Sequence, residues 1–215
     1  MRKSTNKPPN DKIRMKIICI GRNYAEHAKE MKAEAPTEPV FFMKPDTALL
    51  KEQDFYFPEF TKDLHHEIEL VVKISKAGKH IEQQFAHKYY EEIGLGIDLT
   101  ARDIQAKCKE KGLPWEKAKA FDNSAPIGKF ISKSQLELNN ISFELKVNGQ
   151  SKQAGNSNQM IFSIDQIISY VSKFVSLKVG DLIYTGTPEG VGAIKIGDSL
   201  EGFLNGEKFL QMNVK

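Results

Sequence analysis

Asp63-Leu64-His65-His66-Glu67-Ile68-Glu69-Leu70-Val71-Val72-Lys73-Ile74 is the stretch that decides how this chain is read. Leu64, Ile68, Leu70, Val72 and Ile74 recur at every second position, with His66 interrupting the row. That period predicts a β-strand with one face in a core. The opposite face carries His65, Glu67 and Glu69. Two carboxylates at i and i+2 of a pleated strand stand about 7 Å apart and repel each other. A divalent cation would offset that repulsion, and Mg²⁺, Mn²⁺ and Ca²⁺ all prefer carboxylate oxygens. Taken alone, the pattern is more often a strand whose charged face is simply wet.

Working outward from that strand, Gly78 breaks the chain and the polar residues 81–92 read as a helix. Residues 93–97 then form a buried strand with Asp98 at its C-terminal end. Thr100, with Asp103 three positions on, reads as the cap of the next helix, which Gly112-Leu113-Pro114 ends. A carboxylate between a strand end and a helix start commonly faces a cleft. Gly94-x-Gly96 is no dinucleotide fingerprint, since the third glycine is missing and the pair lies inside a strand. Upstream, residues 16–20 form a short apolar strand stopping at Gly21. Asn23 and Glu26 then make a capping-box pattern that opens a helix over residues 24–32. His27 and Glu30 are i,i+3 neighbours on that helix. A second apolar strand, residues 40–43, runs into Lys44-Pro45.

Downstream, residues 115–128 are irregular and carry Lys117 and Lys119. Residues 141–147 alternate into Asn148-Gly149, a strong hairpin signal, and a second hairpin turns over Asn205-Gly206. Ser163 with Gln166 opens a helix whose apolar stripe is Ile164, Ile167, Ile168, Val171, Phe174 and Val175. A strand over residues 182–185 enters Gly186-Thr187-Pro188-Glu189-Gly190-Val191-Gly192. This turn lacks the Lys-Ser/Thr of a P-loop, but its backbone N–H groups and the Thr187 hydroxyl suit one carboxylate. No repeat and no linker appears, so residues 15–215 read as one strand-rich α+β domain.

Composition narrows the function classes. The 215 residues carry 31 Lys and Arg against 28 Asp and Glu, a net charge of +3. That is mildly basic, without the basic stripe and interleaved aromatics of a nucleic-acid binder, and it suits a small anionic substrate. Cys19 and Cys108 lack any CxxC spacing and are read as reduced thiols of a cytoplasmic protein. No apolar run is long enough to span a membrane. Residues 1–14, polar and broken by Pro8-Pro9, read as a disordered extension.

Several motifs follow one another in order: Gly21-Arg22-Asn23-Tyr24 with His27 and Glu30, Lys44-Pro45, His66-Glu67-Ile68-Glu69, and Asp98-Leu99-Thr100-Ala101-Arg102-Asp103. Gly112-Leu113-Pro114-Trp115, Lys119-x-Phe121-Asp122 and the turn beginning Thr185-Gly186-Thr187-Pro188 complete the series. In that joint order they closely resemble the fumarylacetoacetate hydrolase family, in its short acylpyruvate hydrolase / oxaloacetate decarboxylase branch. The resemblance runs from about Lys16 to the C-terminus. It implies a mixed β-sandwich roll with short helices, a homodimer, and one Mg²⁺ or Mn²⁺ held by Glu67, Glu69 and Asp98. It places Arg22, Lys44, Arg102, Gln105 and Thr187 on substrate contacts, makes Lys119 catalytic, and makes His27 and Glu30 a dyad on a mobile lid. Asp46 and Asn123 depart from the branch's usual residues, which bears on side-chain selectivity.

The reaction these parts imply is cleavage of the C–C bond of an acylpyruvate through a cation-stabilised pyruvate enolate, with oxaloacetate decarboxylation as a companion activity. In that scheme His27, oriented by Glu30, activates the water. Two other readings stand beside it. One is an isomerase or tautomerase of a keto–enol or unsaturated diacid such as oxaloacetate. The other is a non-catalytic binder of keto-acids, which would have no need of a base.

Overall fold

A computed structural model describes residues 15–30 and 34–215. The expectations for residues 1–14 and for the end of the first helix, residues 31–32, lie outside these described residues. Within them the chain forms three sheets and a few short helices. The seven-stranded sheet runs, in spatial order, Val40–Lys44, Ile17–Gly21, Leu182–Tyr184, Ile68–Ile74, Tyr90–Ile97, Ala125–Ser132 and Leu49–Leu50. The five-stranded sheet runs Gln150–Asn156, Ser142–Val147, Ser199–Leu204, Glu207–Val214 and Asp54–Phe55. A small third sheet joins Gly192–Ile194, Leu64–His66 and Thr100–Ala101. Most pairings are antiparallel, but Ile17–Gly21 runs parallel to Leu182–Tyr184. The architecture is the mixed α+β roll the sequence predicts.

Period-two alternation builds the two apolar layers. Ile68, Leu70, Val72 and Ile74 face the main core with Ile93, Leu95, Leu200 and Met212, while Val71 faces the other way onto Ile17, Cys19, Leu182 and Tyr184. Strand Ile68–Ile74 is therefore buried on both faces, not on one as the alternation alone suggests. Nor is 64–74 one strand. The chain changes sheets at Glu67, where Ile68 N–H leaves the ladder to donate to the Gln153 side-chain oxygen at 3.0 Å. Both Asn-Gly hairpins form as read, with Asn148 (φ 52°), Gly149 (φ 76°), Asn205 (φ 47°) and Gly206 (φ 83°) all left-handed. That is the backbone a two-residue turn needs.

Among the described residues, five α-helices decorate the sheets: α1 (Ala25–Glu30), α2 (Gln83–Ala86), α3 (Arg102–Lys111), α4 (Glu116–Lys119) and α5 (Ile164–Phe174). Helix α5 carries the predicted Ser163/Gln166 capping box, and Gly112 ends α3 at φ 62°. Three helix expectations need correction. Residues 81–92 hold only the single turn α2, because the chain turns at residues 87–89 and Tyr90 already pairs with Ile74 in the large sheet. Asn23 spends its side chain on the chain opposite: its amide donates to Phe162 O and Thr185 O, and its oxygen accepts from Phe162 N. Thr100 does not cap α3, since its hydroxyl is turned into the carboxylate cluster described below.

Candidate active site

Strand register brings the acids together. Ile68 pairs with Ile97 and Glu69 with Gly96, so Glu67 and Asp98 are the next residues outward, and Asp98 N–H donates to Glu67 O at 2.8 Å. Carboxylate oxygens of Glu67, Glu69 and Asp98 all lie within 4.8 Å of one another, and all three side chains are buried. The turn after Leu182–Tyr184 approaches closely enough for Gly186 N–H to donate to Glu69 Oε2 at 2.7 Å. Gly186 has φ +102°, and a Cβ there would stand 2.7 Å from Asn23 Cβ. Only glycine permits that approach.

Lysines and an arginine offset part of this buried negative charge. Lys119 Nζ donates to Asp98 Oδ2 (2.7 Å), Glu67 Oε2 (2.9 Å) and the Thr100 hydroxyl (2.5 Å), which uses all three ammonium protons. Arg102 Nη2 donates to Glu67 Oε1 at 2.6 Å, and Arg102 Nη1 to Gln105 at 2.8 Å. Burial alone would push Lys119 down, but Asp98 and Glu67 together push it well up, so it is a fixed ammonium. Burial likewise would push Glu67 up, and Lys119 and Arg102 reverse that to hold it far below the usual carboxylate range. Glu69 has no ion-pair partner of its own among the described residues. Burial and then the Asp98 charge push its carboxyl well up, against the Gly186 N–H and the weaker pull of the Lys119 charge.

That residual imbalance fits a divalent cation. Asp98 Oδ1 is buried without an aligned hydrogen bond, with Lys44 Nζ beside it at 2.7 Å. Three hard oxygen donors converge there, one of them without an aligned hydrogen bond and another on a carboxyl that burial and Asp98 push toward its neutral form. Glu67, Glu69 and Asp98 are thus the residues that could hold the metal.

A cavity of about 260 Å³ opens over this cluster. Of the residues singled out from sequence, Arg22, His27, Glu67, Glu69, Asp98, Arg102, Gln105, Lys119 and Thr187 line it. Glu30 and Lys44 do not. Glu30 stands behind His27, its Oε2 3.2 Å from His27 Nδ1, while its Oε1 accepts from Gly190 N at 3.2 Å. This second bond docks α1 onto the glycine-rich turn. Lys44 is buried beside Asp98, its Nζ 2.7 Å from Asp98 Oδ1, and donates to Ser124 O (2.7 Å), Ser124 Oγ (3.1 Å) and Leu99 O (3.4 Å), so it braces the cluster from behind the cavity wall. Arg22 holds the left-handed backbone (φ 59°), a strained choice for a long side chain that positions it at the cavity mouth.

Sequence reasoning missed four residues. Thr100, read as a cap, bridges Glu67 and Lys119. Ser124 braces Lys44 and donates to Lys119 O. Gln153 gave no sequence signal, yet its buried amide accepts from Ile68 N and pairs with His66 Nδ1. The same amide donates to Thr187 Oγ1 and Pro188 O. Lys109 lines the cavity one helical turn beyond Gln105. Its signal was available, because Arg102, Gln105 and Lys109 repeat at i, i+3 and i+7 on one face of α3.

Comparison with known proteins agrees with this geometry. The chain is 46% identical over 201 residues to a mouse protein named oxaloacetate tautomerase FAHD1, mitochondrial, covering 93% of this chain and 91% of that one. It is 43% identical over 194 residues to the Dictyostelium discoideum protein named oxaloacetate decarboxylase, mitochondrial, covering 89% of each. Its fold superposes with a TM-score of 0.88 on fumarylpyruvate hydrolase from Pseudomonas aeruginosa, solved in complex with Mn²⁺ and pyruvate. That pair is 39% identical and covers 93% of this chain and 88% of the other. Residues 16–213 match the family described as fumarylacetoacetate (FAA) hydrolase C-terminal. Since that match takes in all three acids of the cluster and nearly every strand built around them, the chain belongs to the fumarylacetoacetate hydrolase family.

Proposed function

We propose that this protein is a divalent-cation-dependent enzyme acting on short 2-oxo acids through their enol forms. Its leading reaction is keto–enol tautomerisation of oxaloacetate, with decarboxylation as a companion. The observation that carries the reading is one small cavity that brings together the Glu67–Glu69–Asp98 cluster, His27 and four cationic side chains, Arg22, Arg102, Lys109 and Lys119. The relatives named oxaloacetate tautomerase and oxaloacetate decarboxylase support it.

Held by Glu67, Glu69 and Asp98, Mg²⁺ or Mn²⁺ supplies Lewis-acid stabilisation of negative charge on oxygen. The chain's own residues do the rest. Tautomerisation moves one proton between C3 and the C2 oxygen. With Nδ1–H hydrogen-bonded to Glu30, His27 keeps Nε2 free to take the proton from C3 and deliver it to the C2 oxygen, and to carry it back in ketonisation. Lys119 stays an ammonium and adds fixed positive charge where the enolate develops. Arg102 and Gln105 are tied together and present donors to the substrate carboxylate. In decarboxylation the C3–C4 bond breaks, carbon dioxide leaves, and the pyruvate enolate takes up a proton, so no base is required for the bond-breaking step.

A second reading, acylpyruvate hydrolysis, is favoured by the similarity to fumarylpyruvate hydrolase and by the His27–Glu30 pair, which could equally activate water. One set of assays separates the readings. Enol-oxaloacetate, oxaloacetate and acetylpyruvate are followed side by side after chelation and again after Mn²⁺ is restored, with products identified by NMR. Ketonisation that stops on chelation and returns with Mn²⁺ supports the first reading. Acetylpyruvate cleavage without ketonisation supports the second, and activity indifferent to chelation sinks both.

A further inference from the structure

Lys109 sits on the cavity face of α3, the face that also carries Arg102 and Gln105, roughly 10 Å along the helix axis from Arg102. Arg102 is anchored at the floor by Glu67. Lys109 and Arg22 are not anchored: among the described residues neither side chain has an ion-pair or hydrogen-bond partner. Lys109 lies over the Trp115 ring, its ammonium 5.5 Å from the ring centroid. Its own pKa is pushed down by partial burial, then by the Arg102 and Arg22 charges. Arg22 is moreover held at the cavity mouth in a strained backbone conformation. Unpaired cations gathered at the rim of a site whose floor already has its own counter-charges point to an anion that arrives with the ligand.

We infer that Lys109, with Arg22, forms a distal carboxylate subsite, so that this cavity selects 2-oxo diacids over 2-oxo monoacids. The inference rests on the 2-oxo acid reading above and adds to it the residue that sets the substrate class. The first carboxylate and 2-oxo group lie at the floor by Arg102 and Gln105, and the second carboxylate reaches the rim. Lys109 binds and discriminates. It takes no part in proton transfer.

Titration calorimetry on Mn²⁺-loaded protein tests this with two stable ligands, pyruvate and 2-oxoglutarate, which differ by a second carboxylate. Wild-type protein should bind 2-oxoglutarate more tightly. Lys109→Met should weaken 2-oxoglutarate by roughly tenfold, one charge-assisted contact, and pyruvate by less than about twofold. Lys109→Arg keeps the charge and should restore most of the preference. Equal losses for both ligands, no loss for either, or a wild-type protein without preference for the diacid would each overturn the proposal. Its failure is distinguishable from that of the functional reading. Wild-type ketonisation of enol-oxaloacetate tests that reading alone, whatever Lys109→Met does to binding.

Discussion

Gln153 Nε2 donates to Thr187 Oγ1 at 2.8 Å, one of two bonds that fix how Thr187 faces the cavity. The threonine gives its own proton to Ile68 O at 2.8 Å, so its hydroxyl meets a ligand only through a remaining lone pair. Gln153 is fully buried and uses both amide protons and both oxygen lone pairs. Gln153→Leu strands Ile68 N–H and frees the 187–188 turn. Each orphaned buried group costs about 1–3 kcal/mol, so urea denaturation should show a loss of about 3 kcal/mol. A variant as stable as wild type would show that the amide is dispensable.

Lys119 and a bound cation would draw on the same two carboxylates, Glu67 and Asp98. Lys119→Met removes an ammonium from the cluster and leaves it more negative. Mn²⁺ affinity, measured by calorimetry, should hold or rise. Turnover of oxaloacetate should fall roughly 10²-fold, the usual cost of removing one preorganised charge from a developing oxyanion. Loss of Mn²⁺ binding in this variant would mean that the lysine holds the carboxylates in place instead of stabilising the reaction.

His27 separates the chemistries. Ketonisation and acylpyruvate hydrolysis both need a base, whereas breaking the C3–C4 bond of oxaloacetate does not. His27→Ala should therefore lower the first two by roughly 10²–10⁴-fold and leave decarboxylation within about tenfold. Glu30→Gln should fall between, because the glutamine still accepts from Gly190 N but orients the imidazole less strongly. Equal losses in all three assays would count against the proton-transfer role.

What was legible in the sequence was whatever local patterning controls. The alternation of Leu70, Val72 and Ile74, the capping box at Ser163 and the two Asn-Gly turns all rest on nearest-neighbour chemistry, and all appear as read. Alternation with like charges at i and i+2 singled out Glu67 and Glu69, whereas Asp98 joined them only through the family resemblance. Thr100 was misread because a hydroxyl three residues before an acid has the same local signature whether it caps a helix or turns inward. What drew it in was Lys119, 19 residues away. Gln153 comes from the five-stranded sheet, 85 residues from the Ile68 N–H it satisfies, and no local pattern encodes that pairing. The break at Glu67 was invisible for the same reason, since Gln153 makes it.

Tyr90 and Tyr184 set an alkaline limit. Burial, then Asp165, pushes the Tyr90 phenol well up, and burial also pushes Tyr184 well up, its hydroxyl donating to Pro126 O at 3.1 Å. In the unfolded chain both would ionise near pH 10. Protons leave the unfolded state first, so the stability these phenols contribute is complete below about pH 10 and is lost progressively above it. Urea denaturation from pH 8 to 11, with phenolate absorbance followed in parallel, should show phenolate appearing only as the protein unfolds. Tyr184→Phe should flatten the slope. Phenolate titrating at pH 10 in still-folded protein would refute the assignment.

Gly186 joins the turn to the cluster, and its replacement tests whether that join matters for more than stability. Gly186→Ala meets two obstacles: a φ of +102° that an L-residue adopts poorly, and a Cβ 2.7 Å from Asn23 Cβ. The backbone must shift, and the bond it moves is Gly186 N–H to Glu69, the one hydrogen bond that draws that carboxyl toward its charged form. Strain alone should cost more than about 1 kcal/mol. Displacement of the N–H should in addition weaken Mn²⁺ binding roughly 10–100-fold, as for other groups that orient a ligand. Destabilisation with unchanged Mn²⁺ affinity would show that Glu69 is positioned by its strand alone, and that the turn only packs against it.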